Sequence, residues 1–268
     1  MNEPKAKLLA CVGDNCVDYY EPGGHAYFGG NPLNVAVYAA EMGAEASYLG
    51  AVGNDRYGRE LLSALKARRV DSSHVQILEG ATALTHVTLE EGNRVFGDYE
   101  EGVMADFALR PEDYPFLARH RLIVSGLWGK IEKQLPEVRA LQRPIAFDFA
   151  ERPESETALI AAPFVDIAFF SDDLSDLSQL RERILQLQRL GPKLVIATRG
   201  EHGSLAFDGK DFIPQGIVPC PVVDTMGAGD SFIAGFLLNY LKGASLQACL
   251  AAGAAKSAET LSHPGAWS

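Results

Sequence analysis

The residues of this chain best placed to do chemistry together are Asp224-Thr225-Met226-Gly227-Ala228-Gly229-Asp230-Ser231. A short β-branched run, Val222-Val223, precedes them, and an apolar stretch of helical length starting at Phe232-Ile233-Ala234 follows. That context is strand, tight turn, helix start. Glycines at 227 and 229 permit the turn, so that with Ala228 between them the first N–H groups of the helix can converge on one point as an anion site. Asp230 looks misplaced there, because a carboxylate repels a tightly held anion. It makes sense as a base that takes the proton of a nucleophile attacking that anion, which is phosphoryl transfer onto a hydroxyl. The plain alternative is an ordinary helix start, since the helix dipole favours Asp in a first turn.

Three other stretches carry polar groups at useful places. The apolar run Lys7 to Val12 ends at Gly13-Asp14-Asn15-Cys16-Val17-Asp18. Ligands of open parallel sheets sit beyond strand carboxyl ends, and a carboxylate accepts two hydroxyl hydrogen bonds, so Asp14 and Asp18 could hold a polyol; an Asx turn accounts for Asp14 equally well. Gly29-Gly30-Asn31-Pro32-Leu33-Asn34 then feeds a run of small and apolar residues with helical periodicity, with Asn31 expected as the cap. Asn34 lies one turn into that helix, where an amide needs a partner, and a ligand hydroxyl at the helix mouth would serve. Thr198-Arg199-Gly200-Glu201-His202-Gly203-Ser204 follows another apolar run and suits nucleotide phosphates and ribose. Gly253 stands among small residues, Ala251 to Ala255, that allow close helix approach or room for a flat adenine ring.

The elements that must position these groups alternate. Ala46 to Gly50, Leu122 to Val124, Ile145 to Phe147, Ile167 to Phe170 and Leu194 to Ala197 read as short buried strands, with helical stretches such as Asp55 to Arg68 between them. This is the pattern of a parallel sheet covered on both faces. Residues 82–100 break the alternation: Thr85 to Leu89 and Arg94 to Phe96 around Glu90-Glu91-Gly92-Asn93 read as a β-hairpin, a flap over substrate. Ser204 to Phe207 and Phe212-Ile213 around Asp208-Gly209 read as a second hairpin. One domain spanning residues 1–268 is expected, with lid strands drawn from about 14–28 and 82–102.

Charge and composition exclude several classes. With 35 acidic against 24 basic residues and a formal charge of −11, the chain is unsuited to nucleic acid or an anionic membrane as its main partner. No apolar run is long enough to cross a bilayer and no cationic leader is apparent, so a soluble cytoplasmic protein is expected. The four cysteines contain no Cys-x-x-Cys pair, which indicates neither a disulfide framework nor a zinc site. The P-loop, the dinucleotide fingerprint, the zincin helix and the nucleophile elbow are all absent.

The stretch Asp224 to Asp230, taken with Gly29-Gly30-Asn31-Pro32-Leu33-Asn34, resembles the ribokinase-like, PfkB-type carbohydrate kinases over nearly the whole chain. The resemblance implies an eight- or nine-stranded, mostly parallel α/β sheet between helices, a small β lid, and ATP as donor. It places Asp230 at the catalytic base and Gly227-Ala228-Gly229 at the anion hole. Asp18, Gly30, Asn31 and Asn34 fall on sugar-binding positions, Thr198, Gly200 and Gly203 in the nucleotide loop, with Thr225 beside it, and Asp224 at the start of a loop that binds K+ in many members. Mg2+ is expected to arrive on ATP; Ser171-Asp172-Asp173-Leu174 stands where many relatives have Asn-x-x-Glu, which leaves Asp173 as the acid nearest that role. A narrower likeness, carried by residues 13–18, by Arg94-Val95-Phe96-Gly97-Asp98-Tyr99 with 101–109, and by His263-Pro264-Gly265-Ala266-Trp267, is to members acting on sugar amines. It implies phosphorylation of the 6-hydroxyl of fructoselysine, with Arg94 and Asp98 in the lid and Asp98 or Glu100 meeting an ammonium group. Fructose, psicoselysine or glucoselysine are alternative substrates, a non-catalytic sugar-sensing module is a further alternative, and a homodimer through the lid is compatible with the hairpin.

Overall fold

Runs of β-branched and aromatic residues separated by amphipathic segments fold as layers in the computed structural model, which describes residues 7–21, 24–90, 93–173 and 176–267. The first part of the chain forms β1 (Lys7–Val12), β2 (Cys16–Glu21), β3 (His25–Gly29), α1 (Asn31–Glu41), β4 (Ala46–Leu49), β5 (Ala51–Gly53) and α2 (Arg56–Ala67). After β6 (Gln76–Leu78) come β7 (Leu84–Glu90), β8 (Asn93–Glu100), α3 (Asp113–Leu117), β9 (His120–Gly126), α4 (Leu135–Ala140) and β10 (Ile145–Asp148). The remainder is α5 (Glu156–Ala161), β11 (Ile167–Ser171), α6 (Leu177–Arg189), β12 (Leu194–Thr198), β13 (Ser204–Phe207), β14 (Phe212–Gln215), α7 (Ala228–Leu241) and α8 (Leu246–Leu261).

The main sheet has eight strands in the order β14-β13-β12-β11-β10-β9-β1-β4. All pairings from β4 to β12 are parallel, and the β13–β14 hairpin closes one edge antiparallel. Side chains alternate between two cores, as a pleat with both faces covered requires. Leu9 and Cys11 of β1 join Leu122, Val124, Phe169 and Ile196 beneath α1, α7 and α8. Ala10 and Val12 join Ile123, Phe147, Phe170 and Val195 on the other face, against α4, α5 and α6. The expected α/β architecture is therefore present, with the carboxyl ends of the parallel strands along a single edge.

A second sheet, β3-β2-β7-β8, stands apart from the first. Asp18 of β2 is paired laterally with Tyr27 of β3 and Thr85 of β7, and Thr85 with Tyr99 of β8. Directly paired residues share a face, so Tyr27, Asp18, Thr85 and Tyr99 form one row.

Two local expectations change. Asn31 does not cap α1; the N-cap is Gly30, at φ 115°, with no side-chain cap bond. A Cβ at Gly30 would come within 2.6 Å of Asn15 Cα, so the approach of that loop requires glycine. The carboxylate of Asp14 does the capping instead, accepting the Asn31 backbone N–H at 3.0 Å. Gly253, expected beside a nucleotide, is buried in the contact of α8 with α7, where a Cβ would meet the Phe232 ring and carbonyl at 2.9 Å; its neighbour Ala254 reaches the nearby cleft. Replacing Gly253 by Val should push α8 from α7 and cost about 1–3 kcal/mol of stability, as overpacking does. Denaturant unfolding of Gly253→Val against the parent protein measures this, and equal midpoints would contradict it.

Candidate functional site

The helix mouth at 224–231 is built as a turn into α7. Gly227 is the N-cap at φ 72°, a left-handed conformation that disfavours a side chain. The space a Cβ would need is filled by the Tyr38 hydroxyl and by Ala266. Gly229 has a different use. It lies inside the helix, and a Cβ there would meet nothing within 4 Å, so its small size keeps the helix mouth open. Among the described residues neither the Gly229 nor the Asp230 amide has an acceptor, whereas Ser231 N–H donates to Gly227 O at 2.8 Å.

Asp230 is held by two amides from α1. Asn31 Nδ2 donates to its Oδ1 at 2.7 Å and Asn34 Nδ2 to its Oδ2 at 2.6 Å. Asn31 Nδ2 also donates to Asp148 Oδ2 at 2.8 Å, so one amide joins two carboxylates. Asn34 is anchored from behind by Trp267, whose indole Nε1 donates to Asn34 Oδ1 at 2.7 Å. Asn34 therefore has one protein partner on its oxygen and one on its nitrogen.

Three carboxylates, those of Asp14, Asp148 and Asp230, lie close enough to affect one another. Burial raises Asp230 to about 6; the Asn34 and Asn31 amides oppose the rise and the Asp14 carboxylate adds to it. Burial and then the charge of Asp230 raise Asp148 to about 7. Burial likewise raises Asp14 to about 6 against the Asn31 N–H. Among the described residues, the groups acting on them are amides and other carboxylates, with no lysine or arginine. Among the described residues Asp14 Oδ1 and Asn31 Oδ1 are buried acceptors without a donor, which is what a polyol's hydroxyls would satisfy. Asp18 is also buried and accepts the Cys16 thiol at 3.5 Å.

A cleft of about 730 Å3 opens on the other side of the α7 mouth. Thr198, Gly200, Gly203, Thr225, Ala228 and Gly229 line it, so the expected nucleotide-loop residues and the helix mouth share one cavity. Asp173 lines it too, while Asp172 is committed to Arg183 in an ion pair. Among the described residues no group of three or more acidic, His or Cys side chains could hold a metal ion by itself. Asp224 is not in the cleft lining; its oxygens accept the amides of Met226 at 2.9 Å and Gly265 at 2.7 Å, bracing the turn. Asp98 is exposed on β8, and Arg94 lies in β8 with its side chain outside the described residues. No helix among the described residues is long and apolar enough to cross a membrane.

The model of the pfkB family carbohydrate kinases matches residues 6–268. The chain belongs to the PfkB family. This PfkB chain is 44% identical to the fructoselysine 6-kinase of Escherichia coli K12, over 97% of this chain and all of that one. It is 39% identical to the fructosamine kinase FrlD of Bacillus subtilis, over 87% and 83% of the two chains. Among solved structures, Arabidopsis thaliana ribokinase complexed with ribose and ATP superposes with a TM-score of 0.89 at 22% identity, covering 97% of this chain and 94% of that one. A putative ribokinase II from E. coli in complex with ATP and Mg2+ gives 0.84 at 20% identity, with the same coverage. ATP and Mg2+ are the general requirement of ribokinase-like kinases.

Asp148 was missed at the sequence level. Its signal was available, since it stands at the carboxyl end of β10 as Asp14 stands just beyond β1. Asp148→Ala should free one hydrogen of the Asn31 amide and raise the sugar KM about tenfold, the scale of one bond to a charged acceptor. Steady-state kinetics with sugar varied at saturating ATP decide it; an unchanged KM would mean that Asp230 alone fixes Asn31.

Proposed function

We propose that this protein transfers the γ-phosphoryl group of ATP to the 6-hydroxyl of fructoselysine, with Asp230 as general base. The observation that carries the proposal is the placement of the Asp230 carboxylate, pinned by Asn31 and Asn34, on the first turn of a helix whose opening residues line the cleft. The full-length 44% identity to a fructoselysine 6-kinase supports the substrate.

The roles follow from the chemistry of each side. The acceptor hydroxyl sits against Asp230, with Asp14, Asp18, Asn31 and Asp148 taking the remaining sugar hydroxyls. The free amides at Gly229 and Asp230 and the open face of Gly229 receive charge on the phosphoryl group in flight. Thr198, Gly200 and Gly203 hold the nucleotide, and Asp173, which lines the same cleft, is the residue that would hold a metal ion carried on the phosphates. Bound Mg2+ supplies charge neutralisation on those phosphates. The row Tyr27, Asp18, Thr85 and Tyr99 makes the β3-β2-β7-β8 sheet a lid over the sugar, excluding water that would otherwise compete for the phosphoryl group. Carboxylates held, among the described residues, by neutral amides disfavour a sugar that is already phosphorylated and favour a polyol bearing an ammonium. The likeness to a fructosamine kinase favours other fructosamines as a second substrate class.

Asp230→Asn can accept from only one of the two amides and loses the base, lowering kcat by about a hundred- to ten-thousand-fold with the fold intact. ADP release measured over fructoselysine, psicoselysine, glucoselysine, fructose and ribose checks both points: turnover by the variant ends the base assignment, and activity on plain hexose alone ends the substrate assignment. The pH dependence has a defined sign. Because the base must be ionised and its pKa is raised to about 6, kcat/KM should be full above about pH 7 and fall as pH drops through 6. A profile that holds its plateau down to pH 4 would mean an unperturbed carboxylate.

A further inference from the structure

Trp267 belongs to the cluster around Asp230 yet the proposed reaction gives it no work, although it is buried and its side chain is held by three neighbours. It stacks on Phe28, with ring centroids 6.0 Å apart and planes at 25°, and carries the Arg68 guanidinium 4.5 Å from its ring. Its indole N–H donates to Asn34 Oδ1 at 2.7 Å, and Asn34 Nδ2 donates to Asp230 Oδ2 at 2.6 Å. The backbone beside it is tied to the same site: Ala266 O accepts the Tyr38 hydroxyl, and Gly265 N–H donates to Asp224 Oδ2.

An amide side chain has two faces that differ by a half-turn. With an indole N–H on one side and a carboxylate on the other, only one orientation of Asn34 satisfies both. The flipped amide would set Oδ1 against the Asp230 carboxylate and Nδ2 against the indole N–H, acceptor on acceptor and donor on donor. An indole can only donate, so it selects the orientation without offering a competing acceptor.

We propose that Trp267 is a positioning residue for phosphoryl transfer, its indole N–H locking the Asn34 amide so that Asn34 holds Asp230 against the acceptor hydroxyl. This rests on Asp230 being the base. Without the N–H, Asn34 is free to turn, Asp230 loses one of its two anchors, and its orientation toward the hydroxyl spreads.

The test compares wild type, Trp267→Phe, Asp230→Asn and a protein carrying benzothienylalanine at 267, in which sulfur replaces the indole N–H on the same bicyclic ring. Trp267→Phe and the benzothienyl protein should lose about three- to tenfold in plateau kcat/KM, the scale of one buried hydrogen bond, with the ATP KM unchanged. Because the Asn34 bond holds the Asp230 pKa down, weakening it should move the acid limb of kcat/KM to higher pH. Restoring an N–H with 5-fluorotryptophan should return both the plateau and the limb. If Trp267→Phe fails to fold, the benzothienyl protein, which keeps the stacking, decides alone. A benzothienyl protein with wild-type plateau and limb, alongside an inactive Asp230→Asn, overturns the positioning role and leaves the base assignment standing. An active Asp230→Asn overturns the base assignment itself, and this proposal with it.

Discussion

Among the described residues, the site keeps its carboxylates in a pocket whose partners are amides rather than a lysine or arginine. Burial disfavours the ionised form, and a lysine or arginine beside Asp230 would remove that penalty by forming an ion pair. It would also hold the carboxylate far below neutral pH and make it a poor proton acceptor. Here the compensation comes from two neutral amides, which donate to the carboxylate and restrain its pKa at about 6. A base of that strength is ionised at neutral pH and still takes a proton readily.

Such an arrangement needs a rigid frame, because amides restrain a carboxylate only while they face it. Asn31 and Asp230 are 199 residues apart in sequence, and Asn34 and Trp267 are 233 apart. What brings them together is the two-sided core. α1 and α7 pack on the same face of the sheet through Val37, Phe232 and Phe236, so their N-terminal ends open at the same edge. The carboxyl ends of β1 and β10 supply Asp14 and Asp148 to that edge. The free acceptors and donors of the site are therefore all element ends, where backbone geometry leaves polar groups unspent.

The legible parts of the sequence were those in which local chemistry and periodicity agree. The parallel strands announced themselves as continuous apolar runs, and Gly227-Ala228-Gly229-Asp230 as a helix mouth with an acid where a turn alone would not require one. What was not legible was pairing across long separations. Asn31 looks like a cap because its position allows it, yet its side chain is taken by Asp230 and Asp148 while Asp14 caps from another strand end. Nothing near Asn34 in sequence indicates that its partners are Asp230 and Trp267. Gly253 was ambiguous in principle, because a small residue serves a ring and a helix contact alike, and the Phe232 side chain settles it for the helix contact. Glycine at 229 was assigned to the turn, whereas its conformation is helical and what it supplies is space.

The two sides of the α7 mouth also explain why an acid and an anion site can be neighbours. Ala228 and Gly229 at the start of α7 line the cleft that holds Thr198, Gly200 and Gly203, while Asp230 reaches from the first turn toward α1. A phosphoryl group on the cleft side feels the helix dipole more strongly than a carboxylate turned away from it and screened by two amide donors. Under the proposed roles, a hydroxyl between the two would be attracted by both, giving its proton to one side and its oxygen lone pair to the other. Repulsion between Asp230 and the phosphate, which would be a defect if they touched, then keeps the nucleotide from occupying the sugar's place. Under the proposed roles, one helix start would in this way separate donor from acceptor and leave a single line along which the phosphoryl group can move.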